Sequence, residues 1–122
     1  MPEANASSPL PANTASLDAL ESQAASFYQF AKYDEAEHAY RRLIELHAEK
    51  DGNEATYRDS YNLSAALAKQ GKFSEAEAMI RQVLAFLVSR VKEGNVDNYE
   101  AQEVAAHKIL EEAVAGQRTS EP

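Results

Sequence analysis

KYDEAE at residues 32–37 and KFSEAE at residues 72–77 are two copies of one pattern, K-[YF]-x-E-A-E, that lie 40 residues apart. Apolar or aromatic residues follow both copies at the same distances: Tyr40, Leu43 and Ile44 after the first, and Ile80, Val83 and Leu84 after the second. Self-similarity at a fixed period is typical of proteins built from stacked, similar units. The repeat therefore predicts the fold, and the rest of the chain can be interpreted around it.

Both copies lie in segments with helical periodicity, in which apolar residues recur at i, i+3, i+4 and i+7. Each of four glycines is predicted to follow a helix end, where a left-handed backbone is needed: Gly52, Gly71, Gly94 and Gly116. No segment alternates with the period of two that a half-buried strand requires. The sequence thus predicts an all-α fold of five helices, at about 16–31, 34–50, 54–70, 74–93 and 97–115.

Helix starts and chain ends complete the domain prediction. Ser74 with Glu77 has the spacing of a capping box, and Asp34 and Asp97 offer aspartate caps with the same spacing. We expect a disordered lead over 1–15, which is rich in proline and small polar residues, and a disordered tail over 117–122. The 122 residues leave room for one domain, predicted at 16–116.

The chain resembles the tetratricopeptide repeat family over about 70 residues. In the second copy the residues that carry the resemblance are Leu63, Ser64, Leu67, Gly71, Phe73, Ala76, Ile80 and Val83. In the first copy they are Leu20, Ala24, Phe27, Ala31, Tyr33, Ala36, Tyr40 and Leu43. The spacing is similar to that of the longer, kinesin light chain-like repeats. The resemblance implies a right-handed superhelical stack of antiparallel helix hairpins with about two and a half repeats. The fifth helix would be half of a third repeat or a closing helix.

Composition excludes several classes of protein. Twenty acidic and twelve basic residues give a net charge of −8, which disfavours binding to nucleic acid. There is no cysteine, no apolar run long enough to span a bilayer, and no signal-peptide pattern at the start of the chain. We therefore expect a cytoplasmic protein without membrane contact.

Catalytic and metal-binding patterns are not apparent in the sequence. The histidines at 38, 47 and 107 do not form a pair with metal-ligand spacing, and no glycine-rich phosphate loop is present. His38, with Glu35 and Glu37 beside it, is interpreted as part of a solvated helix face. The expectation is a protein that is not an enzyme and has no cofactor.

The concave face of the predicted stack is the first candidate binding surface. Its candidate residues are Arg58, Tyr61, Asn62 and Lys69 on the third helix and Glu21 and Gln29 on the first. Arg58, Asn62 and Lys69 share one stripe and could hold a carboxylate or main chain of a peptide. The alternative is that these are ordinary polar residues on a solvated helix surface.

The end of the stack is the second candidate surface, because the fourth helix is apolar on its back as well as on its inner face. Phe86, Val88 and Ile109 would form an interface there if they were left uncovered, and the alternative is that they belong to the core. The polar face of the fifth helix favours a monomer over a weak homodimer. The predicted function is an adaptor that binds a peptide or helix of another protein in the groove; the alternative is an assembly subunit that docks through the stack end.

Overall fold

The computed structural model describes residues 14–50, 53–94 and 96–120, and within these ranges it contains five α-helices and no strand. The helices are α1 (Thr14–Gln29), α2 (Tyr33–Lys50), α3 (Asn53–Lys69), α4 (Phe73–Lys92) and α5 (Val96–Ser120). Each helix packs against the next one in the chain, and α3 also contacts α5. The all-α prediction and the order of the helices are confirmed.

The α1–α2 and α3–α4 turns have the same construction. In the first, Lys32 N–H donates to the carbonyl of Phe27 at 2.8 Å, and in the second, Lys72 N–H donates to that of Leu67 at 2.9 Å. The residue before each lysine has a left-handed backbone: Ala31 has a φ of 63° and Gly71 a φ of 81°. These are Schellman turns, so the first copy places alanine where the second has the glycine that relieves strain.

The predicted side-chain caps of α2 and α4 are wrong. Each helix begins one residue earlier than its predicted cap, so Asp34 and Ser74 lie inside the first turn. Lys72 is the N-cap residue of α4, and its side chain makes no capping hydrogen bond. The reason is the short connection: the last residue of the Schellman turn is already the N-cap, and its carbonyl accepts the first helical bond, from Ala76 N–H at 3.0 Å. The last helix likewise begins before Asp97, at Val96.

The predicted tail is wrong for 117–120, because α5 continues through Gly116 to Ser120. A Cβ at Gly116 would lie 2.5 Å from the Phe73 ring, so this glycine permits close packing rather than ending a helix. Gln117 then donates a 2.6 Å hydrogen bond to Glu77, which ties the added turn to α4. At the other end, residues 14 and 15 belong to α1; the remaining part of the predicted lead, 1–13, and residues 121–122 lie outside the described residues.

Two clusters form the core. One has members from all five helices and contains Leu43, Leu63 and Leu67, each with at most 1% of its surface exposed, while the other joins α3, α4 and α5 around Ile80 and Leu87. Truncating any of these side chains to alanine would cost about 2–5 kcal/mol. Alanines without any exposed surface lie where helices cross: Ala24, Ala36, Ala66, Ala76, Ala106 and Ala113.

The structure identifies α5 as the equivalent of α3. Gln70, just after the end of α3, donates to Glu37 near the start of α2 at 2.9 Å and to the carbonyl of Ala66 at 3.2 Å. Gln117 near the end of α5 makes the same two bonds, to Glu77 of α4 at 2.6 Å and to the carbonyl of Ala113 at 3.3 Å. The helix α5 is thus bonded to α4 as α3 is bonded to α2.

Candidate functional site

A pocket of about 340 Å³ lies on the face to which α1, α3 and α5 contribute, and we call it the tyrosine pocket. Four helices supply its lining, which consists of Tyr28, Tyr40, Tyr61, Asn62, Ala65, Lys69, Ile109 and Glu112. Ala65 and Ile109 give it an apolar part, and the other residues offer hydroxyl, amide, ammonium and carboxylate groups. A pocket with an apolar part and a few convergent polar groups is the usual form of a ligand site.

Tyr40 is the most buried of the three tyrosines, with 6% of its surface exposed. Burial raises its pKa, and the neighbouring Tyr28 and Asp59 raise it further. Burial also raises the pKa values of Tyr28 and Tyr61, and Tyr28 is affected in addition by Tyr33, Glu112 and Tyr61. All three side chains are therefore neutral phenols at physiological pH and can donate hydrogen bonds.

The hydroxyls of Tyr28, Tyr40 and Tyr61 make no hydrogen bond to any other described residue. None of these hydroxyl oxygens is fully buried, so each can exchange hydrogen bonds with solvent or with a ligand. The pocket therefore presents three hydroxyls that a ligand can reach, and one of them belongs to Tyr40, a residue with 6% of its surface exposed.

Two opposite charges line the same pocket. Lys69 on α3 and Glu112 on α5 are both exposed, and neither forms an ion pair with another described residue. The pocket can thus offer a cation to one part of a bound segment and an anion to another. This polarity suits a peptide, whose main chain presents carbonyl acceptors and N–H donors in alternation.

The predicted groove residues are only partly brought together. Tyr61, Asn62 and Lys69 line the pocket, as the sequence suggested. Arg58 is exposed on α3 but does not line it, and neither do Glu21 and Gln29 of α1. Of the other lining residues, Tyr28 and Ala65 lie on the two helices that carry the candidates, α1 and α3, whereas Tyr40, Ile109 and Glu112 come from α2 and α5.

A polar triad joins three helices, and two of its members, His47 and Asp59, are buried while Glu21 is exposed. His47 of α2 is hydrogen-bonded through Nδ1 to Asp59 of α3, and its Nε2 lies 3.2 Å from a carboxylate oxygen of Glu21 on α1. Burial raises the pKa of Asp59, although the bond from His47 opposes this effect. Because its two ring nitrogens face carboxylates on α1 and α3, His47 joins both of these helices to α2.

Glu37 corrects the prediction of a solvated face, because it is 7% exposed. Burial alone would raise its pKa, but hydrogen bonds from Gln70, Lys72 and Arg41 outweigh that effect and lower the pKa to about 2. His38, by contrast, is exposed as predicted. The carboxylate of Glu37 therefore links the start of α2 to the α3–α4 turn.

The three predicted stack-end residues do not form one surface. Phe86 stacks on Tyr57 with ring centroids 4.8 Å apart and meets Tyr99 edge-on at 6.1 Å, so α5 covers it. Ile109 is 8% exposed: it belongs to the core and also lines the tyrosine pocket. Val88 is 37% exposed on a different face of α4.

Within the described ranges no group of three His, Asp or Glu side chains is arranged to hold a metal ion. In the same ranges no helix combines the length and apolar character needed to cross a membrane. Comparison of the chain with protein-family models, with curated proteins and with solved structures gives no match. The chemistry of the tyrosine pocket is accordingly the basis for a functional assignment.

Proposed function

We propose that the chain is a non-enzymatic interaction module that binds a peptide segment of another protein in the tyrosine pocket. The observation that carries the proposal is Tyr40: the residue is 6% exposed and lines the pocket, and its hydroxyl is accessible and has no hydrogen-bond partner among the described residues. The hydroxyl would donate to a peptide carbonyl or a side-chain acceptor when the partner is bound. Lys69 would bind an acceptor of the peptide, and Glu112 a donor.

The proposal includes a tetratricopeptide-like stack and a cytoplasmic location. What supports the stack is the recurrence of one set of bonds, in which Gln70 and Gln117 join Glu37 and Glu77, together with the identical turns at Ala31 and Gly71. A pocket on the face to which the first helix of each pair contributes agrees with the use of that face for binding. The fold by itself does not define a role, so the assignment depends on the pocket.

The test is selection from a displayed library of random peptides against the immobilised chain, followed by affinity measurements on the selected peptides. Tyr40→Phe removes one oxygen and keeps the ring, and Lys69→Ala removes the cation. We expect each change to lower the affinity for the selected peptides about tenfold, because each removes about one hydrogen bond to the peptide.

Tyr33→Phe is the matched control, because Tyr33 touches Tyr28 edge-on but does not line the pocket. Its affinity for the same peptides should equal that of the unmodified chain. A library that yields no binder, or binders with equal affinity for Tyr40→Phe, Lys69→Ala and the unmodified chain, would reject the proposal.

A further inference from the structure

A second surface lies on the outward face of α4 and shares no residue with the tyrosine pocket. We call it the α4 stripe, and its residues are Arg81, Leu84, Ala85, Val88, Ser89 and Lys92. They line a shallow, open depression of about 690 Å³, with Glu93 at its edge. Val88 is 37% exposed in this depression, and Leu84 is at the boundary with the core.

The repeat offers an internal comparison for this surface, because α2 and α4 are equivalent with an offset of 40 residues. At the outward positions α2 has Glu45, Ala48 and Glu49, and α4 has Ala85, Val88 and Ser89 at the same three places. All six residues are exposed. The scaffold therefore accepts glutamate at two of these positions in one repeat, while the other repeat carries small uncharged residues there and a larger apolar residue between them.

Packing does not require the exposed uncharged residues of the stripe, Ala85, Val88 and Ser89, because the core-facing side of α4 is formed by Ala76, Ile80, Val83, Leu84 and Leu87. Exposed apolar surface on one helix face, with polar residues around it, is typical of a helix-binding site. The small side chains Ala85 and Ser89, one turn apart, would let the backbone of a second helix approach α4 closely.

Each end of the stripe carries a basic residue, although the whole chain has a net charge of −8, and the carboxylate of Glu93 beside Lys92 is bonded to Arg90 at 3.1 Å. Lys92 has no ion pair with any described residue, and Arg81 remains 58% exposed although it is bound to Glu77 at 2.7 Å. A two-fold pairing of two copies through this stripe would bring Arg81 next to Arg81 or to Lys92 of the second copy, depending on direction. Such like-charge contacts disfavour self-association and favour an acidic partner.

We propose that the α4 stripe binds an amphipathic helix of another protein whose apolar face carries acidic residues at both ends. Arg81 and Lys92 are eleven residues apart, about 16 Å along α4, so the two acidic ends of the partner are expected at the same separation. The apolar middle of that helix packs on Leu84, Ala85 and Val88. This binding is independent of the tyrosine pocket.

The test uses two synthetic helical peptides of about 18 residues, long enough to form an isolated helix. Both carry the same apolar stripe; one has glutamates at its two ends and the other has lysines. Binding to the full chain is measured by fluorescence anisotropy at low salt, and the site is mapped by amide chemical shifts. We expect the acidic peptide to bind, with the largest shifts on α4, and the basic peptide to bind at least tenfold more weakly.

The variant Ala85→Glu/Ser89→Glu gives α4 the glutamates that α2 has at the equivalent positions. It should weaken binding of the acidic peptide at least tenfold. Its matched control is the reverse exchange on α2, Glu45→Ala/Glu49→Ser, which should leave binding unchanged. Circular dichroism and thermal melting establish that both variants are folded.

Four results would overturn the proposal: no binding of the acidic peptide up to about 1 mM, equal binding of the basic peptide, unchanged affinity of Ala85→Glu/Ser89→Glu, or shifts confined to the tyrosine pocket. Sedimentation equilibrium tests the remaining possibility, which is that a second copy of the chain occupies the α4 stripe. A dimer that disappears in Ala85→Glu/Ser89→Glu would assign the stripe to a second copy of the chain instead.

Discussion

Replacing Glu37 by glutamine should lower the free energy of unfolding by about 1–2 kcal/mol at neutral pH. Its carboxylate accepts hydrogen bonds from Gln70 at 2.9 Å, from Lys72 at 3.0 Å and from Arg41 at 3.0 Å. These partners come from the α3–α4 turn region and from α2 itself. Glutamine keeps the volume and one acceptor oxygen, so the change removes the charge with little change in packing.

The magnitude follows from the pKa. Burial opposes ionisation of Glu37, yet its three hydrogen bonds lower the pKa from the usual 4.5 to about 2. A displacement of that size corresponds to at most about 3 kcal/mol of folding free energy. The side chains of Arg41 and Lys72 are each 42% exposed, so water screens part of this interaction and the smaller figure is expected.

The contribution of Glu37 must depend on pH with a definite sign. Because the folded-state pKa lies below the unfolded-state value, the stabilisation is complete above about pH 5 and disappears as the pH falls from 4.5 towards 2. Urea unfolding followed by circular dichroism, between neutral pH and about pH 3, should therefore show the Glu37→Gln and unmodified curves converging in acid. Glu77→Gln is the matched control: Glu77 is bonded to Gln117 and Arg81 but has no lysine partner, so its loss should be smaller.

Two results would refute this reasoning. One is a difference between Glu37→Gln and the unmodified chain that stays constant from neutral pH to about pH 3. The other is a loss for Glu77→Gln that equals or exceeds the loss for Glu37→Gln, since the two glutamates would then contribute alike despite their different partners.

Three further substitutions test the packing. Gly116→Ala should destabilise the chain by about 1 kcal/mol in urea unfolding, because the new Cβ would lie 2.5 Å from the Phe73 ring. This strain outweighs the gain in helix propensity. A variant more stable than the unmodified chain would contradict the close contact. Asp59→Ala should lower the free energy of unfolding by about 2 kcal/mol in the same assay, since it leaves Nδ1 of the buried His47 without its partner. An unchanged unfolding midpoint would show that the bond contributes nothing to stability. Phe86→Glu should lower the melting temperature by about 10 °C or more, because a carboxylate would enter the aromatic contacts between α3, α4 and α5; an unaltered melting curve would mean that the ring is not part of the core.

The helices could be predicted closely because their ends depend on local chemistry. The strings at 32–37 and 72–77 follow turns whose backbone is set by Ala31 and Gly71, and such turns are determined within a few residues. Gly116 misled the prediction because a glycine that admits a neighbouring ring and a glycine that ends a helix look the same in sequence. What distinguishes them is Phe73, 43 residues away in the chain.

The site was less predictable, because its walls come from four helices. Tyr61, Asn62 and Lys69 share one face of α3, so a single helical wheel identifies them. Tyr40 belongs to the apolar pattern that follows the first copy of the repeat, and its burial agrees with that pattern, but its position in the pocket depends on where α3 and α5 pack. Glu112 is a member of the polar face of α5, and no local pattern shows which part of that face meets α1.

The bond between His47 and Asp59 had a signal that was available in the sequence. His47 follows Leu43 by four residues and therefore continues the buried stripe of α2, where a histidine needs a partner. Asp59 has the corresponding position on the buried side of the next helix, twelve residues on. A polar residue on an apolar stripe in each of two adjacent helices would have predicted the pair, although not its third member, Glu21.

The two halves of the stack share the glutamine–glutamate bond between neighbouring helices, but their other contacts differ, and this difference bears on function. The α1–α2–α3 part has the buried bond of His47 to Asp59, while aromatic rings around Phe86 contribute to the contact in the α3–α4–α5 part. Hydrogen-bonded contacts set the relative position of helices more narrowly than apolar contacts do, because they tolerate little change in distance or angle. Six of the eight residues that line the tyrosine pocket come from α1, α2 and α3, whereas the α4 stripe belongs to the aromatic half. The pocket is therefore expected to be preformed, and the stripe to adjust more easily to the helix that binds it.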